Sequence, residues 1–208
     1  MNRIDLIVEL TKGYDVVADI GCDHGYVLKY ALDKGYIKEG IATDIGKGPL
    51  ESAKKNLVGY PVKFYLSDGF KKVNEHFDLA IITGMGSKLI TDILKESKVQ
   101  DATYLLGANE KQEVLRQYLL ENGYEILDEY VIYDGFYYVF IKVKKGMMTL
   151  TDEEIYTGKH LYNKLEAKDY FLHKINHLSD LIDKVHGKRR EELEQIKNYF
   201  TNALKKVI

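Results

Sequence analysis

Seven short runs rich in apolar and β-branched residues recur along this chain, and segments of helical period separate most of them. The runs are Asp15–Ile20, Gly40–Asp44, Lys63–Ser67, Phe77–Thr83, Thr103–Gly107, Glu125–Tyr133 and Phe136–Val143. Helical spacing marks residues 4–12, Tyr26–Lys34, Gly48–Val58, Ser87–Lys95 and Gln112–Glu121. Strands alternating with helices of this length predict an α/β fold: a mostly parallel sheet with helices on both faces. Only Asp134-Gly135 separates the last two runs, which is a hairpin signal. The sheet is therefore expected to end in an antiparallel pair. After Lys144-Lys145-Gly146 the strand signal stops. Leu161, Leu165, Leu172, Ile175, Leu178, Ile182 and Val185 then recur at three- and four-residue spacing. Gly187 interrupts the pattern, and Leu193, Ile196, Phe200, Leu204 and Val207 resume it. This predicts an antiparallel two-helix coiled-coil hairpin over 147–208, following a sheet domain over 1–146.

The sharpest local signal is Asp19-Ile20-Gly21-Cys22-Asp23-His24-Gly25-Tyr26, between the apolar Val16-Val17-Ala18 and a helix. A turn at this place in an α/β sheet is where nucleotide-like cofactors bind. Its acids are informative. A dinucleotide turn directs bare backbone N–H groups at a pyrophosphate, and Asp19, Asp23 and His24 would crowd and repel one. They suit a cofactor with a cationic amino-acid end, such as S-adenosylmethionine (SAM). A sheet that ends with one reversed strand is also how class I SAM-dependent methyltransferase folds end.

Further candidates sit at the ends of the later strands. Asp44 ends the second and can accept both ribose hydroxyls. Asp68 and Gly69 follow the third, where an acid or its neighbouring backbone can meet an adenine amine. Thr83-Gly84-Met85-Gly86-Ser87 ends the fourth; Gly84 permits close backbone approach, and Met85 can line an apolar wall. The Asn-Pro-Pro-aromatic sequence of many amino-methyltransferases is not there. Asn109 and Glu110 close the fifth strand, and Asn109 can either pair with a base edge or cap the next helix. Cys22 and Tyr26 are expected beside the cofactor. Cys22 is poorly placed for covalent attack on a base, and the scattered histidines lack metal-ligand spacing. His160, His173, His177 and His186 are expected in solvent.

Composition bounds the rest. A single cysteine excludes an internal disulfide and suits a reducing, cytoplasmic compartment. No run approaches a membrane span. A net charge of −2 advertises no global nucleic-acid affinity, but residues 1–141 are acidic and residues 142–208 mildly basic.

On Ala18–Leu28, Ser67-Asp68-Gly69, Gly84-Met85-Gly86 and Ala108-Asn109, the chain resembles the bacterial tRNA methyltransferases that act on N1 of adenine 22, the TrmK type. The resemblance runs through the C-terminal hairpin. It departs from the usual family pattern at Cys22 (Ser), Gly25 (Ala), Ser87 (Gly) and Gly107-Ala108-Asn109 (Gln-Pro-Asn). It implies a Rossmann-like domain, SAM as methyl donor, and a tRNA substrate gripped by the hairpin, with neither membrane nor DNA as partner. A monomer is expected, although a helical hairpin can also dimerise. For catalysis Asp23, His24 and Asn109 are the candidates. Asp23 either takes the adenine N6 proton or binds the cofactor's amino group. Cofactor binding falls to Asp19, Gly21, Cys22, Tyr26, Asp44, Asp68, Gly69, Gly84 and Met85. Two other readings remain open on sequence: a non-catalytic SAM- or RNA-binding module, and a methyltransferase acting on another RNA base or on a protein.

Overall fold

The computed structural model describes residues 1–207. Helix α1 (Arg3–Glu9) opens the chain with a reciprocal cap, in which the Asp5 N–H donates to Asn2 Oδ1 and the Asn2 N–H donates to Asp5 Oδ2. Then follow β1 (Val16–Ile20), α2 (Tyr26–Asp33), β2 (Glu39–Asp44), α3 (Lys47–Asn56), β3 (Val62–Leu66), β4 (Leu79–Met85) and α4 (Ser87–Lys95). The sheet domain closes with β5 (Thr103–Ala108), α5 (Gln112–Glu121), β6 (Tyr124–Asp134) and β7 (Phe136–Lys145). The strand order is β3-β2-β1-β4-β5-β7-β6. All neighbours from β3 to β5 run parallel, and β7 lies antiparallel to both β5 and β6.

Alternation along the strands divides the core into two layers. Val17, Leu79, Ile81 and Leu105 face α1, α2 and α3 through Ile7, Leu28 and Leu50. Ala18, Ile20, Ile82 and Leu106 face the other way, onto Ile90 and Leu94 of α4 and Leu115 and Leu119 of α5. These central strands are buried on both faces, so they read as unbroken apolar runs rather than alternating ones.

The C-terminal part is more than a hairpin. It begins with α6 (Asp152–Thr157), capped reciprocally by Thr151 and Glu154, and a 3-10 turn at Leu161–Asn163. The hairpin itself is α7 (Ala167–Ile182) and α8 (Lys188–Lys206). Its base joins the second core layer: Leu161, Phe171, Phe200 and Ala203 are fully buried in the same cluster as Ile82 and Leu115. Two of the leucines expected inside are outside. Leu165 lies between the 3-10 turn and α7, and Leu172 is one residue past the buried pair Tyr170 and Phe171, a rotation of about 100° on a helix. The aromatics take the interior positions because a ring fills the gap to Phe200 (ring centroids 6.3 and 6.0 Å). Among the described residues no helix is long and apolar enough to cross a membrane.

Candidate functional site

The carboxyl ends of β1, β2 and β4 meet at one turn. Where β1 stops, the N–H groups of Gly21 and Cys22 both donate to the Thr43 carbonyl of β2 at 2.9 Å. Gly21 then turns with φ +79°, and the Met85 side chain of β4 lies directly on it, where any Cβ would overlap the Met85 methyl. Asp23 follows in the left-handed region (φ 48°), a strained conformation that aspartate tolerates better than most residues. Its N–H donates to Asp44 Oδ2 at 3.2 Å, while Gly46 N–H donates to Asp44 Oδ1 at 2.7 Å. Both Asp44 oxygens are thereby oriented, and each keeps a lone pair for a hydroxyl donor. In β4 the register against β5 shifts between Thr83 and Met85, which sets Gly84 out of the ladder at φ +77°.

These ends enclose a cleft of about 440 Å³. Four carboxylates line it (Asp19, Asp23, Asp44 and Asp68) against one cation, Arg3. Asp19 is buried at 6% exposure, and its carboxyl is pushed up to about 7 by burial first, then by the like charges of Asp44 and Asp23. Among the described residues no cation or hydrogen-bond donor is paired with it, so the site fits a ligand bearing positive charge. The Cys22 thiol, also buried, is pushed well up by burial and then by Asp19 and Asp44, which disfavours the thiolate a nucleophile needs. Asp68 is half exposed and paired with Lys71 at 2.5 Å. Behind it, Ser67 Oγ donates to the Gly69 carbonyl and accepts from Lys72 N–H, which fixes the loop.

Asp19 gives the cleft a pH dependence. Below the ordinary carboxylate range both folded and unfolded chains hold its proton. Between that range and about 7 only the folded chain does, so the stability it contributes is lost as pH rises through 7. A cation beside Asp19 favours the ionised form. SAM affinity is therefore expected to rise up to about tenfold per pH unit below 7 and to level off above it. Calorimetry across pH 5–9 checks this, and an affinity flat over that range would separate Asp19 from the ligand.

Of the residues singled out in the sequence, the structure gathers Asp19, Gly21, Cys22, Asp23, Asp44, Asp68, Gly69, Gly84 and Met85 around this one cleft. It sets three apart. Tyr26, the first residue of α2, turns outward at 45% exposure and stacks on Tyr30 (6.0 Å). His24 also lies outside the lining, its ring 5.6 Å from Tyr26 and its Nε2 3.6 Å from Asp23 Oδ1. Asn109 is exposed beyond β5; its backbone N–H donates to the Met85 carbonyl. The lining also includes residues with no motif around them: Arg3 and Ile7 of α1, and Tyr138 and Phe140 of β7. Arg3 Nη1 donates to Tyr138 Oη at 2.7 Å, joining chain segments far apart in sequence. His160, expected in solvent, is half-buried; its N–H donates to Glu129 Oε2 and its Nε2 meets the Ile126 carbonyl.

The chain is similar to known proteins over most of its length. The family model described as a methyltransferase domain matches residues 1–141. The chain is similar to the tRNA (adenine(22)-N(1))-methyltransferase of Bacillus subtilis strain 168, 29% identical over 154 residues covering 70% of this chain and 65% of that protein. Among solved structures it is similar to a Streptococcus agalactiae protein of the NADB-Rossmann superfamily, with a TM-score of 0.89 at 29% identity, covering 98% of this chain and 96% of that one. It is also similar to M. capricolum TrmK in complex with the cofactor product S-adenosyl-homocysteine, with a TM-score of 0.85 at 26% identity over 99% and 98% of the two chains.

Proposed function

This chain belongs to the methyltransferase domain family, and from that premise we propose that it methylates N1 of adenine 22 in tRNA with SAM as donor. The observation that carries the cofactor assignment is the anionic cleft around the buried, uncompensated Asp19. A pyrophosphate would be repelled there, and a cationic amino-acid end would be held. Bound there, SAM supplies an electrophilic methyl group on a sulfonium.

The chain's own residues do the rest. Asp19 holds the amino group, and Asp44, oriented by two backbone N–H groups, accepts the ribose hydroxyls. Asp68 and Gly69 border the adenine end. Gly84 leaves room for close approach, and Met85, seated on Gly21, closes an apolar wall. Arg3, Tyr138 and Phe140 form the wall opposite. Adenine N1 carries its own lone pair, so methyl transfer asks for alignment rather than covalent activation. The ring becomes cationic as the C–N bond forms, and Asp23, exposed at the cleft, balances that charge or accepts a proton from N6. N1 lies on the pairing edge of the base, so the nucleotide must leave its stack to enter.

The C-terminal hairpin, as the tRNA grip, is expected to work by phosphate contact and shape. Lys188, Arg189 and Arg190 open α8. Arg189 and Arg190 are shared with Glu192 and Glu194. Replacing all three basic residues with alanine is expected to weaken tRNA binding and to reduce its log–log salt slope by roughly one unit for each phosphate left without its cation. A salt titration of binding reads this, and an unchanged slope would remove these residues from the interface.

The experiment for the activity itself is mass spectrometry of unmodified tRNA after incubation with the protein and labelled SAM. Label on N1 of adenine 22 is the expected result. Label on another nucleotide, or none, overturns the assignment.

A further inference from the structure

The β6–β7 hairpin runs past the rest of the sheet. Backbone pairing of β7 with β5 reaches only Leu106↔Ile141, whereas pairing with β6 continues to Asp134↔Phe136. The overhang projects beyond the carboxyl edge, where the cleft opens. One face of it, through Tyr138, walls the cleft, and Arg3 lies 4.8 Å over that ring. On the other face Tyr137 packs against His173 of α7 at 5.1 Å. At its tip Phe136 is 75% and Tyr133 63% exposed, with Tyr133 only 5.0 Å from Tyr137. The tip is anchored, because Arg3 N–H donates to Asp134 Oδ2 at 3.2 Å. Rings therefore line both faces of the overhang: Tyr138 on the cleft side, and Tyr133 and Tyr137 on the side of the C-terminal hairpin, with Tyr137 against Tyr170 and His173, while Phe136 at the tip is bare.

We propose that the tip, Phe136 above all, is a stacking platform for unpaired nucleobases flanking the nucleotide that enters the cleft. This deepens the tRNA methyltransferase reading and rests on it. Drawing one base out of a stack leaves its neighbours with an uncovered face. A rigid exposed ring covers such a face whatever the base, because every base has a π-surface. Position agrees: the tip stands between the cleft, where the chemistry occurs, and the helices read as the RNA grip. Size agrees as well. A stable protein–protein contact takes about 800 Å² per partner, which a two-stranded tip does not offer, whereas one ring suffices for one base.

The chain has no tryptophan, so Phe136→Trp places a single reporter at the tip and keeps the stacking ring. Its emission is expected to be quenched by an unmodified tRNA transcript, with tRNA affinity near that of the parent chain. Phe136→Leu keeps the apolar volume without the ring. It is expected to weaken tRNA binding by at least about fivefold, and to raise the tRNA KM alike, with SAM affinity unchanged. Emission unmoved at saturating tRNA, or a leucine variant that binds tRNA like the parent, overturns the platform. So does emission that shifts when the protein alone is concentrated, since a second copy would then cover the tip. Label transfer by the parent chain is measured alongside. Normal transfer with a silent tip removes the platform alone, and absent transfer removes the enzymatic reading.

Discussion

Arg116→Met alone is expected to lower the free energy of unfolding by about 3–5 kcal/mol, the usual cost of stranding one member of a buried ion pair. Arg116 and Glu129 are both fully buried, with Nε donating to Oε1 at 2.7 Å. Their remaining contacts cross from the sheet domain to the C-terminal helices. Arg116 Nη1 donates to the carbonyls of Ile155 and Tyr156 at the end of α6, and Glu129 Oε2 accepts from His160 N–H. Gly158 closes over the pair, where a Cβ would come within 2.8 Å of Glu129 Oε2. Urea denaturation measures the loss. Adding Glu129→Gln to Arg116→Met is expected to recover much of it, because the uncompensated charge goes with the second change. A single variant as stable as the parent would show that the pair contributes nothing to the joint. The same geometry bears on truncation. Every cofactor motif precedes residue 110, which makes residues 1–146 look self-sufficient in sequence. Removing 147–208 would nonetheless expose the ion pair and the faces that cover Leu161, Phe171 and Phe200, so the shortened chain is expected to be destabilised before its SAM binding can be judged.

That contrast marks what the sequence could and could not say. The strands of the parallel half were readable because each is a compact apolar run ended by glycine or acid. Helices Ser87–Lys95 and Gln112–Glu121 emerged with the bounds their periodicity predicted. The α/β fold read from the alternating runs, and the methyltransferase family read from the motifs, agree with the matched domain and the solved neighbours. Pairing partners were not readable. That β7 inserts between β5 and β6 follows from edge contacts far apart in sequence, and with it comes the overhang that brings Tyr138 to Arg3. Tyr26 illustrates a second limit. A motif gives a residue's place on the chain, but the left-handed turn at Gly25 decides which way the first residue of α2 points, and it points outward. His160 shows a third, since polar residues at a joint between elements look like surface until the joint is built.

Asp23→Asn is expected to slow methyl transfer at saturating SAM and tRNA by about a hundredfold while changing SAM affinity little. The substitution is well matched to the site. Asparagine, like aspartate, tolerates the left-handed backbone found there (φ 48°), and the backbone N–H that orients Asp44 is untouched. What it removes is negative charge at the cleft, where the adenine ring becomes positive. An interaction that strengthens only as that charge develops appears in the rate constant, whereas a cofactor ligand appears in the dissociation constant. Single-turnover methylation and SAM calorimetry on the same variant separate the two, and a normal saturated rate with weakened SAM binding would move Asp23 to the cofactor side alone. His24→Ala is the control. Its ring is within 3.6 Å of the Asp23 carboxylate yet outside the cleft lining, so it touches that carboxylate without reaching the substrate. The alanine variant is accordingly expected to keep most of the rate that Asp23→Asn loses. If the two variants were equally slow, the proton would be travelling through the imidazole, and the base would be the pair rather than Asp23 by itself.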